Sequence, residues 1–266
     1  MKNKFLIIPG ENLLEKVPNC DFLFPLKGFC VGMKKTFSLE EIPNDSFVYI
    51  NRLLDCHSIK SLENLMPLFI KKIKGVVFED IGVLEVLKEV NKEFITIYYG
   101  THSLCSSYTV NSFLEEVDTC ILANDITYDE IKSILNKAKK KIGLLVYGHL
   151  PYMYSRRNLL SNYAENFNLE KTKQRLIKEP ISKKEFLVVE NEFGTILYDP
   201  FEYDGRVFLN EDNISYLLTD LNFLKTDSIS KWLSDFVNFQ KLDNPTKGFL
   251  EQKTIYRLPP KGEKND

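Results

Sequence analysis

The chain has 266 residues, of which 44% are hydrophobic and 27% are charged, a composition that excludes a collagenous or largely disordered chain. Its 35 basic and 37 acidic side chains give a formal net charge of −2, which argues against a domain devoted to nucleic acid. No apolar run approaches the ~20 residues that a membrane span needs, and the apolar stretch behind the basic start is too short for a signal peptide. We therefore expect no membrane partner.

The cysteines and histidines exclude several common chemistries. Five cysteines occur, an odd number, without any CxxC pair, so we expect no disulfide framework and a reducing, cytoplasmic location. Only three histidines occur, and the motifs HExxH, GxSxG, GxxxxGK[ST] and GxGxxG are absent. The serine-hydrolase, zinc-protease, kinase and dinucleotide-binding classes thus lose their main sequence evidence, and we predict no metal site and no cofactor.

Eight short apolar runs predict strands that are buried on both faces, as in a parallel sheet. Amphipathic segments with helical spacing lie between several of them, most clearly over residues 58–72, 81–92 and 127–141. The apolar runs cover residues 5–8, 22–26, 47–50, 75–78, 94–99, 120–123, 142–147 and 223–226.

Two pairs of residues have the spacing of a capping box, in which a hydroxyl and a carboxylate satisfy the first backbone N–H groups of a helix. Thr127 with Glu130 predicts the start of the helix over residues 127–141. Ser38 with Glu41 predicts a short turn of helix over residues 38–42.

Eight strands with helical connections predict an α/β fold, a TIM-like (β/α)8 barrel with some irregularity. An open doubly wound sheet is the alternative. The segment before the last strand is too long for one crossover, so we expect an insertion over residues 168–222 with a β-hairpin that turns at residues 191–194. Residues 1–258 are predicted to form a single barrel domain, and the polar residues 259–266 a disordered tail.

Ligands bind at the carboxyl ends of the strands in such a barrel, and polar residues follow nearly every predicted strand. Two of the three histidines, His102 and His149, are among them. Helix capping is the alternative role for the aspartates and the asparagine at positions 80, 124 and 125. The remaining polar residues of this set are Asn51, Arg52, Glu79, Asp80, Asn124, Asp125 and Asp227.

The densest polar stretch is YGHLPYMYSRRNLLS, residues 147–161, with one histidine, three tyrosines and two adjacent arginines. Guanidinium groups suit carboxylate or phosphate, and the rings suit a flat or cyclic ligand. We therefore predict an anionic small molecule or a peptide as partner, bound by Arg156 and Tyr154; the alternative is that either arginine merely faces solvent. His102 and Cys105 have the spacing of a thiol–imidazole pair, but a buried structural cysteine is the favoured interpretation.

The same stretch resembles the peptidase U32 family, the collagenase-like peptidases. Further blocks that are similar to this family follow its order: KGVVFEDIGVLEVLKE, HSLCSSYTVN, LANDITYDEIKSIL, NEFGTILYD and GFLEQKTIYRL. The resemblance implies a TIM-like barrel. It also implies either peptide hydrolysis, as the family name states, or a part in the oxygen-independent hydroxylation of ubiquinone precursors or RNA bases, which draws on prephenate.

The hydroxylation members of that family carry an iron–sulfur cluster held by four cysteines. The block where the first of these stands reads YSRRN here, so Asn158 occupies that position, and Pro151 corresponds to an earlier family cysteine, although a ubiquinone-related branch also has proline there. No cysteine follows Cys120. Because the cluster needs thiolate ligands, we expect none in this chain.

The sequence thus predicts a short family member that lacks the cluster cysteines and acts as a cytoplasmic peptidase. His102 and His149 are the expected catalytic acid or base, and Arg156, Tyr154, Glu79 and Asn51 the expected substrate-binding residues, all around one cavity. The alternative is a non-catalytic or accessory binding protein of the hydroxylation branch, which would use the same pocket for an anionic small molecule.

Overall fold

The computed structural model describes residues 3–10, 17–90 and 94–253. Within these residues the chain forms twelve strands, six α-helices and one 3₁₀ helix. The strands are β1 (Lys4–Ile8), β2 (Cys20–Pro25), β3 (Ser46–Ile50), β4 (Ile73–Phe78), β5 (Ile95–Tyr99), β6 (Thr119–Ile121), β7 (Ile142–Ser155), β8 (Gln174–Lys178), β9 (Glu185–Asn191), β10 (Gly194–Asp204), β11 (Ile214–Asp220) and β12 (Pro245–Thr246). The α-helices are α1 (Cys56–Lys72), α2 (Ile81–Lys88), α3 (Ser107–Phe113), α4 (Tyr128–Lys137), α5 (Leu159–Asn166) and α6 (Ile229–Val237), and the 3₁₀ helix is Arg206–Phe208.

Eight parallel strands, β1 to β7 and β11, close into a TIM-like barrel. Closure depends on β11, which pairs with β1 in the register Lys4–Tyr216 to Ile8–Asp220 and also pairs with β7. This closed ring confirms the predicted barrel and excludes the open doubly wound sheet. The expected interior strands over residues 94–99 and 142–147 are confirmed as β5 and the first half of β7, each with a parallel neighbour on both sides.

The eighth barrel strand is β11, so the strand predicted over residues 223–226 is wrong. β11 lies inside the stretch 168–222 that was expected to be an insertion. In its sequence ISYLLTD, polar residues flank a pair of adjacent leucines. The strand therefore lacks a long continuous apolar run. Phe223 instead packs edge-on against His149 and Tyr198, with ring centroids 5.0 and 5.3 Å apart.

An antiparallel extension stands on the barrel beside β7. β7 runs on past Gly148 and pairs with β10, and β10 pairs with β9 in the predicted hairpin, where Asn191 faces Gly194. β9 then pairs with β8. The extension places side chains of β7 and β10 above the carboxyl ends of the barrel strands, where they form a wall of the site described below.

The two predicted capping boxes have different outcomes. At α4 the Thr127 hydroxyl accepts from the Glu130 N–H, and the Glu130 carboxylate accepts from the Thr127 N–H, so this box is confirmed. The Ser38 N–H donates to the Glu41 carboxylate at 2.7 Å, but residues 38–42 form a turn and not a helix. The predicted tail, residues 259–266, lies outside the described part of the chain, and no helix within that part is long and apolar enough to cross a membrane.

Candidate active site at the barrel mouth

A cavity of about 330 Å³ opens at the carboxyl ends of the barrel strands. Its floor and walls come from residues at the ends of β1, β3, β4, β5 and β11, and from the antiparallel extension of β7 and β10. The cavity gathers both predicted histidines and three of the four predicted binding residues. These five are His102, His149, Glu79, Asn51 and Tyr154.

Glu79 follows β4 directly and turns its carboxyl group into this cavity. The Tyr49 hydroxyl donates a hydrogen bond to its Oε1 at 2.6 Å. Burial raises the pKa of Glu79 to about 7, although hydrogen bonds from Tyr49 and Thr101 and the charge of His102 oppose that rise. At neutral pH the group is therefore divided between its acid and base forms, which suits a carboxyl that must both take and give a proton.

His102 and Asp125 form a pair at the rim of the cavity. Nδ1 of His102 lies 3.2 Å from Oδ2 of Asp125, and both side chains remain partly exposed. The hydrogen bond to Asp125, together with the charges of Asp125 and Glu79, raises the pKa of His102 against the effect of burial. Asp125 does not cap α4, since Thr127 does so. Asp125 instead favours the positively charged form of the His102 imidazole.

His149 lies within β7 and also lines the cavity. Its Nδ1 is 2.8 Å from the carbonyl oxygen of Asp199. Because a carbonyl oxygen only accepts, Nδ1 must carry a proton, and Nε2 of the neutral ring is then an acceptor. The two histidines thus offer different groups to the cavity: the contact with Asp125 favours the charged, donating form of His102, and the neutral ring of His149 offers an acceptor.

Asp220, the last residue of β11, is a functional candidate that the sequence analysis missed. Burial raises the pKa of Asp220 to about 6. The backbone N–H of Asn222 donates a hydrogen bond to Oδ1 at 2.8 Å, which opposes that rise. Because the eighth strand was predicted at residues 223–226, Asp227 was the residue expected at its end. Asp227 is exposed and does not line the cavity. The signal that could have found Asp220 is an acidic residue that closely follows the adjacent Leu217 and Leu218.

Five tyrosines also line the cavity. The rings of Tyr49 and Tyr99 stack with centroids 6.4 Å apart, and burial, followed by the charges of Glu79 and Asp220, raises the pKa of both Tyr99 and Tyr198. The two carboxyl groups therefore face one shared space. The lining tyrosines are Tyr49, Tyr98, Tyr99, Tyr154 and Tyr198.

Arg156 does not join the cavity, contrary to the prediction. Its side chain is 58% exposed, and its guanidinium lies 3.7 Å from the Asp55 carboxylate at the start of α1. The reason is that β7 does not end at residue 147 but continues to Ser155, which carries the arginine beyond the mouth. Arg52 is also directed elsewhere, since it donates to the Gly28 carbonyl and packs over the Phe193 ring at 4.1 Å.

Several other candidates have structural roles. Asn51 lines the cavity, but its amide group bonds both the N–H and the carbonyl of Val31. Asp80 caps α2, as the capping alternative stated. Cys105 is exposed and its thiol points to the Ser103 carbonyl, so the buried role favoured for it is wrong.

The donor set at the position of the family's iron–sulfur ligands does not fit such a cluster. The side chain of Asn158 donates to the Asn191 carbonyl at 2.6 Å and leads into α5. Pro151 lies in β7 on the cavity wall. Nowhere in the described ranges do three or more histidine, cysteine or acidic side chains form a group that could hold a metal ion.

Comparison with protein families gives one match. The family described as Peptidase family U32 matches residues 35–174, which is 140 of the 266 residues. Neither the curated proteins nor the solved structures give a match. The matched range contains Glu79, His102 and His149, whereas Asp220 lies beyond it.

Proposed function

The chain belongs to peptidase family U32, and on that premise we propose that the barrel mouth hydrolyses peptide bonds by general acid–base catalysis. The observation that carries this proposal is the buried carboxyl group of Glu79, with its pKa raised to about 7 by burial. A general acid or base works best when its pKa lies near the working pH.

In this proposal ionised Glu79 takes a proton from a water molecule while the water oxygen bonds to the carbonyl carbon of the substrate. The carbonyl oxygen gains a negative charge, and the imidazolium of His102 donates a hydrogen bond to it. When the carbon–nitrogen bond breaks, Glu79 returns the proton to the leaving nitrogen. One water molecule is consumed, and a carboxylic acid and an amine are released.

The other groups of the cavity have supporting roles in the same scheme. Nε2 of His149, an acceptor in the neutral ring, orients the attacking water. Asp125 keeps His102 charged, since their contact raises the pKa of His102. Tyr154 lies in the wall, where its buried hydroxyl has no hydrogen-bond partner of good geometry among the described residues, so it is available to a substrate amide.

The proposal also includes a cytoplasmic location. All five cysteines are free, and Cys56 and Cys105 are exposed. Exposed thiols persist in a reducing compartment and are oxidised outside it.

Hydrolysis in heavy-oxygen water tests the proposal. The protein is incubated with a defined peptide mixture, and mass spectrometry measures the label in new carboxyl termini. We expect label with the wild type and a loss of roughly 10²-fold or more in Glu79→Gln, while the matched control Glu63→Gln, an exposed residue of α1, keeps the wild-type rate. Cleavage by Glu79→Gln at the wild-type rate, or none by the wild type, contradicts the proposal.

A further inference from the structure

The mouth cavity has an uneven charge pattern. Its lining contains the carboxyl groups of Glu79 and Asp220, but no lysine or arginine of the described chain. When His102 is protonated, its charge is balanced by its partner Asp125 at 3.2 Å. The lining therefore becomes net negative as its two carboxyl groups ionise.

Asp220 is held so that its carboxyl group has little else to bind. Among the residues that the structure describes, one hydrogen bond supports its charged form, and it comes from the N–H of Asn222 to Oδ1. The neighbouring backbone of β7 approaches closely, since a Cβ at Gly148 would lie 2.7 Å from the Cβ of Asp220. Lys34, whose backbone binds the Asn222 side chain, directs its ammonium group over the Phe223 ring at 5.3 Å instead.

The tyrosine walls favour a cationic ligand, as the two carboxyl groups do. Tyrosine faces attract cations at distances up to about 6 Å, and five tyrosines line this cavity. The buried hydroxyl of Tyr154, without a hydrogen-bond partner of good geometry in the described residues, adds an acceptor oxygen. An anion would lose its hydration beside two carboxyl groups, which is unfavourable, so the anionic partner expected from Arg156 does not suit this lining.

We propose that the mouth cavity binds a primary ammonium group of its ligand, with Asp220 as the counter-ion and the tyrosine rings as walls. In a peptide substrate this group is the free amino terminus. Only this last statement rests on the proposed peptidase function; the binding of an ammonium group does not require any bond to be cleaved.

A matched set of three probes tests the binding site by calorimetry on the full chain. Tyramine carries an ammonium group, N-acetyltyramine is its neutral analogue, and hydroxyphenylpropanoate is its anionic analogue. We expect tyramine to bind at least about tenfold more tightly than either analogue, since a hydrogen bond to a charged partner has that effect. Equal binding of the neutral probe, tighter binding of the anion, or no binding of tyramine overturns the inference.

Variants assign the effect to one carboxyl group. Asp220→Asn should weaken tyramine binding at least about tenfold and leave N-acetyltyramine unchanged, whereas Asp227→Asn, at an exposed position after the same strand, should change neither. Should Asp220→Asn not fold, the wild type still decides: its affinity for tyramine should fall as the pH drops through about 6, where Asp220 takes up a proton. Protonation of Glu79 acts in the same direction, so an affinity that rises on acidification overturns the proposal.

Hydrolysis of peptides with free or acetylated amino termini separates the two proposals. If only peptides with a free terminus are cleaved, both stand. If acetylated peptides are cleaved equally well, the proposed peptidase function stands. The proposal that the cavity binds the amino terminus of the substrate is then overturned. If tyramine binds and no peptide is cleaved, the ammonium site stands and the peptidase fails.

Discussion

Replacing Glu79 with glutamine should make the fold less sensitive to pH. Glutamine has nearly the same shape and its oxygen can still accept the hydrogen bond from Tyr49, which is 2.6 Å from Oε1 in the wild type. It cannot ionise, however, so the variant avoids a buried negative charge. The two proteins should therefore differ in stability at high pH more than at low pH, in favour of the variant.

The size of this difference follows from the pKa of Glu79, which burial raises from 4.5 to about 7. A folded-state pKa above the unfolded value contributes stability that is complete below pH 4.5 and is lost as the pH rises through about 7. Between about pH 5.5 and about pH 8 the wild type should lose roughly 2 kcal/mol of unfolding free energy through this group. Asp220, whose pKa burial raises to about 6, is present in both proteins, so its contribution cancels in the difference between them.

Urea unfolding of both proteins across this pH range measures the effect, with Glu63→Gln as the control for removing an exposed carboxyl group. We expect the free-energy difference between Glu79→Gln and the wild type to rise by roughly 2 kcal/mol with pH, and the control difference to stay flat. A flat difference for Glu79→Gln, or one that falls with pH, would refute the buried environment of this carboxyl group.

Three further outcomes follow from the same structure. Gly148→Ala should lower the free energy of unfolding in urea by roughly 1–3 kcal/mol, because φ is +139° there and the new Cβ would lie 2.7 Å from the Cβ of Asp220. Gly28→Ala, with φ +88° and open space around it, should lower it by less. The reverse order would count against the close approach of β7 to β11 at this point. Arg156→Ala should leave the binding of every probe unchanged, because the side chain lies outside the cavity. A loss of affinity would contradict this placement of Arg156. Anaerobic reconstitution with iron and sulfide should yield no visible charge-transfer band, because no cysteine follows Cys120; a stoichiometric iron–sulfur cluster would contradict the fit argued from Asn158.

The barrel could be predicted from local sequence because parallel strands buried on both faces leave continuous apolar runs. Seven of the eight barrel strands have such a run, for example residues 47–50 in β3, where every residue is buried. β11 could not be found in this way, since its apolar run is limited by Ser215 before it and by Thr219 and Asp220 after it. Thr219 is fully buried nonetheless, because closure of the ring places β11 between β1 and β7, which is a long-range constraint.

The difference between local sequence patterns and long-range pairing also explains which site residues could be predicted. Glu79 and His102 were predicted correctly to line the cavity because each follows a strand that the apolar pattern had identified. Arg156 was misplaced because β7 continues through pairing with β10, about forty residues further along the chain, and nothing in the local sequence indicates that pairing. Asp220 was missed as a direct consequence of misplacing its strand.

The central claim is that Glu79 acts as the base of a hydrolytic site, and the pH dependence of kcat/KM for a cleaved peptide tests it most directly. Because kcat/KM reports the ionisation of the free enzyme, the account predicts a rate that falls on acidification with a midpoint near the Glu79 pKa of about 7. The profile of Glu79→Gln with the same peptide separates the ionisation of Glu79 from that of a free amino terminus on the peptide. An acidic midpoint near 4.5, the ordinary value for a glutamate, or a midpoint that Glu79→Gln leaves in place, would contradict it.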